Sequence, residues 1–317
     1  MSTIGTRVDN ETKNDVRVID FQQATFNPNQ IAQNNPYPNT ITINFPYPQS
    51  FSRCEAALTN LYIYYSWYNI SAAFGNNTFQ YSVPTGSTYT TYTVTIPDGF
   101  YTIDELSDYF VQVQIFNKSY AYLTADTSET PITYYSWVSN NVYYRTTLIS
   151  NPIPAASNAT YSFPAGYAGT GVGPTVTTDP TLTILPSGAA AGTNTPGQYS
   201  FSKTLGISPG TYPAPGTTTA YTFNGQYPPV IESTNNVNLA ANFINNGALS
   251  NNPTIIAKFS PQVAFGEQIV YTPYFPVYLP VSDNFYQGVV LQLQDDNFVP
   301  LNIQDPNVSG RIIVRGR

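Results

Sequence analysis

Histidine is absent from this chain, and cysteine and methionine occur once each, as Cys54 and Met1. Histidine is the side chain whose ordinary charge change falls near neutral pH, which makes it the usual general base, proton shuttle and zinc ligand. Without it, neither a Ser–His–Asp triad nor a Cys–His nucleophile can form. A lone cysteine cannot close an internal disulfide, and Cys54 is expected as a small buried or half-buried residue. Charge is scarce as well: Asp, Glu, Lys and Arg make up 9% of the residues, with a net charge of −7. That balance argues against a protein whose main task is to neutralise phosphates. No apolar run reaches the roughly 18 residues of a membrane-spanning helix. Residues 1–20 are polar and lack the apolar core of a signal peptide, so synthesis in a reducing cytosol is expected.

The chain is rich instead in aromatics and turn formers, with 27 Tyr, 27 Pro and 18 Phe among its 317 residues. A hydrophobic fraction of 41% is enough to bury a real core. Residues 1–36 mix both signs of charge and end in an Asn/Gln/Pro-rich stretch, which reads as an extended arm. From Thr40 onward strand signals follow one another. Ile41, Ile43 and Phe45 alternate with polar residues, as do Tyr92, Val94 and Ile96, which is the period of a sheet with one buried face. Further strands are expected at 237–243, 254–259, 267–271, 277–281, 288–294 and 311–315. Many short strands bounded by Pro, Gly and Asn indicate an all-β sandwich.

Three segments depart from this pattern. Leu61 to Tyr68 is apolar or aromatic on both faces, so it lies either between layers or against another subunit. After Pro97-Asp98-Gly99, Thr102 stands as an N-cap with Glu105 three residues on, and Ile103, Leu106, Tyr109, Phe110 and Val113 form one apolar stripe. The spacing predicts a helix to about Phe116, laid over the end of the sandwich. Residues 151–219 are packed with Pro, Gly, Ala, Ser and Thr, with strand-like pieces at 181–185 and 199–201. The division expected is therefore an arm (1–36), a sandwich (37–150 and 199–317) and an insertion of loops or a small β subdomain (151–198).

Each group that invites a chemical reading has a structural one beside it. The paired acids Asp104/Glu105 and Asp295/Asp296 suggest a glycosidase dyad, but the first pair sits in the opening turn of a helix and the second in a turn after a strand. Asp295, Asp296, Asn297, Asp305 and Asn307 lack the spacing of a calcium loop. Gly169-Thr170-Gly171-Val172-Gly173 lacks the strand-to-helix context of a phosphate loop. The sequons at Asn76, Asn117 and Asn158 have meaning only in a secreted protein. Arg311, Arg315 and Arg317 form a local basic excess that suits a solvated tail, an acidic neighbour or nucleic acid. No catalytic, cofactor or metal site is expected.

The run FYQGVVLQLQDDNFVPLNIQD (285–305), followed by GRIIVR (310–315), resembles the closing strands of penton proteins from virophages and from polinton-like or adintovirus-like DNA viruses. PDGFYTIDEL (97–106) resembles the turn-and-helix of the same group, and FSKTLGISPG (201–210) its Leu-Gly segment. The resemblance implies a single jelly roll, five copies of which close each icosahedral vertex of a virion among trimers of a double jelly-roll major capsid protein. A minor capsid or fibre protein is a further partner on that reading. For the ring, Leu61, Tyr62, Tyr64, Tyr65, Trp67 and Tyr68 are the residues expected in the core or on one subunit flank, and the arm is expected to tie neighbouring capsomers. The alternative is a viral fibre or receptor-binding sandwich whose Tyr-rich loops contact glycans. A histidine-free glycosidase using two carboxylates is the third reading.

Overall fold

The computed structural model describes residues 16–21, 40–185, 200–231, 234–246, 254–305 and 307–317. The chain divides into two compact units, Met1–Trp67 with Thr234–Arg317, and Tyr68–Ser233. The first unit opens with β1 (Val16–Phe21), β2 (Thr40–Phe51) and β3 (Cys54–Tyr64). The second holds β4 (Thr78–Thr85), β5 (Thr88–Thr95), α1 (Ile103–Phe116), β6 (Tyr122–Leu123), β7 (Tyr135–Asn140), β8 (Arg145–Ser150), β9 (Tyr161–Ser162), β10 (Thr181–Ile184), α2 (Phe201–Leu205), β11 (Gly210–Tyr212) and β12 (Tyr221–Asn224). The chain then returns to the first unit with β13 (Val237–Ala241), β14 (Ile255–Phe259), β15 (Gln268–Tyr271), β16 (Leu279–Pro280), β17 (Asn284–Gln294) and β18 (Ser309–Gly316).

In the first unit one sheet runs β1-β18-β3-β15, with the short β16 also on β3, and the other runs β14-β13-β17-β2. The pairing is that of a ribbon folded over on itself. With β16 set aside, the first strand pairs with the last (β1 with β18), the second with the last but one (β2 with β17), the third with β15, and β13 with β14. Every one of these pairs is antiparallel, and the nested order rolled into two sheets is a jelly roll. The fold is therefore an all-β jelly-roll sandwich. Alternation sets which side faces in. Ile312 and Val314 of β18, Leu61 and Ile63 of β3, and Val289, Leu291 and Leu293 of β17 are buried. Each such side chain removed from water contributes about 1.5–3 kcal/mol.

One strand sits where the sequence reading placed an arm. Val16–Phe21 falls within the expected arm 1–36, yet it pairs with β18 along its whole length. Its charges are used locally: Arg17 donates to the Ser50 carbonyl at 2.9 Å and lies 5.8 Å from the centre of the Phe51 ring, while Asp20 pairs with Arg311. The remainder of the arm lies outside the described residues.

The second unit has its own sheets, β11-β10-β4-β5, β12-β8-β7 and β6-β9, around a separate aromatic core. Phe79 is the hub of that core. Its ring meets Phe110 edge-on at 5.1 Å, Trp137 at 5.3 Å and Phe201 in a stack at 5.2 Å, geometries favoured by the ring quadrupole. The helix α1 is as expected in extent and capping. Thr102 Oγ1 accepts the Glu105 N–H at 3.2 Å, and the Glu105 carboxylate accepts the Thr102 N–H at 2.8 Å. Its setting differs, because it packs on β7 of this unit. Buried Ser107 accepts the Trp137 N–H at 3.0 Å, and Gln114 donates to the Tyr135 carbonyl at 2.9 Å.

The observed division thus falls at 67/68 and 233/234, not at 150/151 and 198/199. The Pro/Gly/Ala-rich stretch is part of a larger inserted unit rather than the whole of it. Phe201, expected in a strand, begins α2 instead: Ser200 caps it through the Lys203 N–H, and Gly206 ends it in the left-handed conformation at φ 68°. A Cβ at Gly206 would collide with the Tyr227 carbonyl oxygen, so glycine is required twice over.

Candidate functional site

The acidic pairs are structural members of turns and caps. Glu105 closes the capping box of α1, and Asp104 accepts the Ser139 N–H at 3.3 Å. Asp295 is fully buried and accepts the N–H groups of Asn297 and Val299, each at 2.8 Å, which shapes the turn between β17 and the next segment. Asp296 accepts the Asn235 and Asn236 N–H groups at 3.1 and 3.0 Å and pairs with Lys258 at 3.3 Å. Burial pushes its carboxyl up, and the bonds from Asn236 and Lys258 outweigh this and hold it below the usual range. Asp305 likewise bonds Asn307 locally. Among the described residues no group of three or more His, Cys, Asp or Glu is placed to hold a metal ion.

The remaining candidates resolve in the same way. Arg311 makes a two-pronged pair with Asp20, Nε to Oδ1 at 2.6 Å and Nη2 to Oδ2 at 3.1 Å. Arg315 bonds Glu55 at 2.6 Å and stacks 3.4 Å from the centre of the Tyr278 ring. Both arginines therefore meet partners of their own unit. Gly169 and Gly171 take left-handed turns at φ 73° and 72° beside the 3₁₀ turn Tyr167–Gly169. Cys54 is half-buried at the start of β3. Asn76 is buried and donates to the Asn69 carbonyl at 2.8 Å, which leaves its amide inaccessible to a glycan.

The aromatic strand divides by face. Leu61, Tyr65 and Trp67 are buried within the unit, and the Tyr65 and Trp67 rings pack at 4.4 Å. They are core residues. Tyr62, Tyr64 and Tyr68 are half-buried. β3 lies between β18 and β15, inside its sheet, so it does not form a lateral edge of the sandwich.

The two lateral edges differ. At one, β1 and β2 lie together through the Arg17 contacts. The register between β2 and β17 shifts so that Asn44 opposes Gly288 and Gln49 opposes Tyr286. Residues 45–48 are thereby extruded as Phe-Pro-Tyr-Pro, with Tyr47 77% exposed between two exposed prolines. At the other edge Phe259 of β14 stacks on Tyr271 of β15 at 5.0 Å. Beside this stack a cleft of about 270 Å³ opens among Ile256, Ala257, Lys258, Pro273 and Val277. Tyr274 and Phe275 stand out from the adjoining turn, 91% and 77% exposed and in edge contact at 4.6 Å. Exposed aromatic groups of this kind mark contact surfaces more often than solvent-facing ones. The sequence reading did not single out these residues. The Pro-Tyr-Pro and Pro-Tyr-Phe-Pro strings were the available signal, since prolines bracket side chains that the sheet does not bury.

No protein-family model matches the chain, and no curated protein matches it. Among solved structures the chain is similar to the selenomethionine-labelled mavirus penton protein, with a TM-score of 0.42 and 6% sequence identity over 95% of this chain and 98% of that one.

Proposed function

We propose that the chain is a structural capsid protein of a virion, a penton whose jelly roll closes a five-fold vertex as a homopentamer and contacts trimers of a double jelly-roll major capsid protein. The observation that carries this reading is the pair of unlike lateral edges. A closed ring joins one flank of each copy to the opposite flank of the next, so it needs two different complementary surfaces on one subunit. A rigid Pro-Tyr-Pro knob on one edge and an apolar cleft on the other meet that need. The likeness of residues 285–305 and 310–315 to penton closing strands supports the same assignment. The role is mechanical and calls for no catalysis. Of the six aromatic-strand residues, the half-buried Tyr62, Tyr64 and Tyr68 remain accessible, while the ring contacts fall to the edges.

The test is the solution mass of the purified chain by light scattering after size exclusion. One chain is 34.8 kDa, so five copies give about 174 kDa and three about 104 kDa. A pentamer, alone or on mixing with the major capsid protein, is the expected result. A stable trimer replaces this reading with the fibre or receptor-binding one.

A further inference from the structure

We propose that the outer face of the β1-β18-β3 sheet carries a binding site for a neutral pyranose sugar. The register builds it in two rows. Asp20, Arg311 and Asn60 lie directly opposite one another across the three strands, and Ser309 opposes Tyr62 in the next outward row. Between the rows lies a cavity of about 220 Å³ whose floor is the Gly310 main chain. Phe21 closes that floor from the inner side: a Cβ on Gly310 would stand 2.5 Å from its ring.

The chemistry of the lining selects the ligand. Asp20 and Arg311 are fixed to each other by two bonds, so the site presents both a carboxylate and a guanidinium without a net charge, which disfavours a free anion or cation. After that pairing the carboxylate still has lone pairs and the guanidinium still has N–H groups. A group offering a donor and an acceptor on adjacent atoms, such as a vicinal diol, satisfies both. Asn60 also lines the cavity, and a side-chain amide is a hydrogen-bonding group suited to a sugar hydroxyl. Tyr62, with exposed Val270 opposite it on β15, supplies an apolar wall for the C–H face of a ring. The cavity lies below the roughly 300–1,000 Å³ of drug-sized sites, which fits one sugar ring. A nucleotide shares the stacking requirement, but the chain's net charge of −7 opposes its phosphate.

The probes are the methyl glycosides of glucose, galactose, mannose and N-acetylglucosamine, with adenosine monophosphate alongside, tested on the full chain by saturation-transfer NMR and titration. At least one glycoside is expected to receive saturation at millimolar concentration, with affinity lowered at least tenfold in Tyr62→Ala and in Asn60→Ala. Should either variant unfold, Ser309→Tyr fills the cavity from the outer face and is expected to abolish the signal with the fold retained. Absence of transfer to every glycoside, transfer unchanged by these substitutions, or transfer to the nucleotide alone overturns the proposal. None of these outcomes depends on the oligomeric state, so the site stands or falls separately from the vertex reading.

Discussion

The side-chain amide of Asn69 donates to the main-chain oxygen of Ile231 at 3.0 Å, across 162 residues of sequence. The same nitrogen donates to the Tyr101 carbonyl at 2.8 Å, and Asn69 Oδ1 accepts the Tyr101 N–H at 2.9 Å. One buried amide thus joins the beginning and the end of the inserted unit to the segment that starts α1.

Replacing this clasp leaves main-chain groups without partners, each costing about 1–3 kcal/mol when buried. Asn69→Ala is expected to lower the stability of the inserted unit by at least about 2 kcal/mol. The two tryptophans fall one in each unit, Trp67 and Trp137. Urea unfolding of a Trp67→Phe background therefore follows the inserted unit alone, and an unchanged midpoint would remove the clasp from the account.

Asp179 is fully buried with neither carboxylate oxygen hydrogen-bonded, and burial pushes its pKa up to about 7. An acid raised in the folded state favours folding most below its unfolded value near 3.8, and that contribution is lost as pH rises through about 7. The inserted unit is expected to lose thermal stability between about pH 4 and 7. Asp179→Asn should flatten this slope and raise Tm by several degrees at pH 8, read by calorimetry at pH 5 and pH 8. An unaltered slope in the variant would assign the pH dependence to other groups.

The capping box of α1 gives a smaller, local effect. Thr102→Ala removes the bond to the Glu105 N–H and is expected to cost about 1 kcal/mol, with Thr102→Ser recovering most of it. Denaturant midpoints of the two variants make the comparison.

For the ring, the two edges predict an asymmetric outcome. Tyr47→Ala removes the knob and Ala257→Trp fills the cleft, and each alone is expected to abolish pentamers while leaving the monomer folded. Mixed together, the two variants retain one intact knob and one intact cleft, so a one-to-one dimer is the expected end point in size exclusion. Pentamers of Tyr47→Ala would place the contact elsewhere on the flank.

The jelly-roll strands were legible because one face of each is buried and the period of two survives in β2, β17 and β18. The helix was legible because Thr102 and Glu105 mark its start before any tertiary contact acts. The domain boundary was not legible, since both units are built of the same Tyr/Thr/Asn-rich strands. The junction at Trp67/Tyr68 lies within one continuous aromatic run. β1 was obscured by Arg17 and Asp20, which read as an arm until their partners Ser50 and Arg311 are brought alongside. The edge surfaces escaped notice for a related reason: exposure of Tyr47 follows from a register shift opposite β17, and pairing register is not written in either strand by itself.

Pro46 and Pro48 have a bearing on how such chains survive crowding. A free sheet edge is a template on which further strands can grow without limit. Proline has no N–H to offer, so this stretch of β2 cannot present the unbroken row of donors on which an added strand pairs. Such an edge resists open-ended strand addition and favours contacts that saturate after one neighbour.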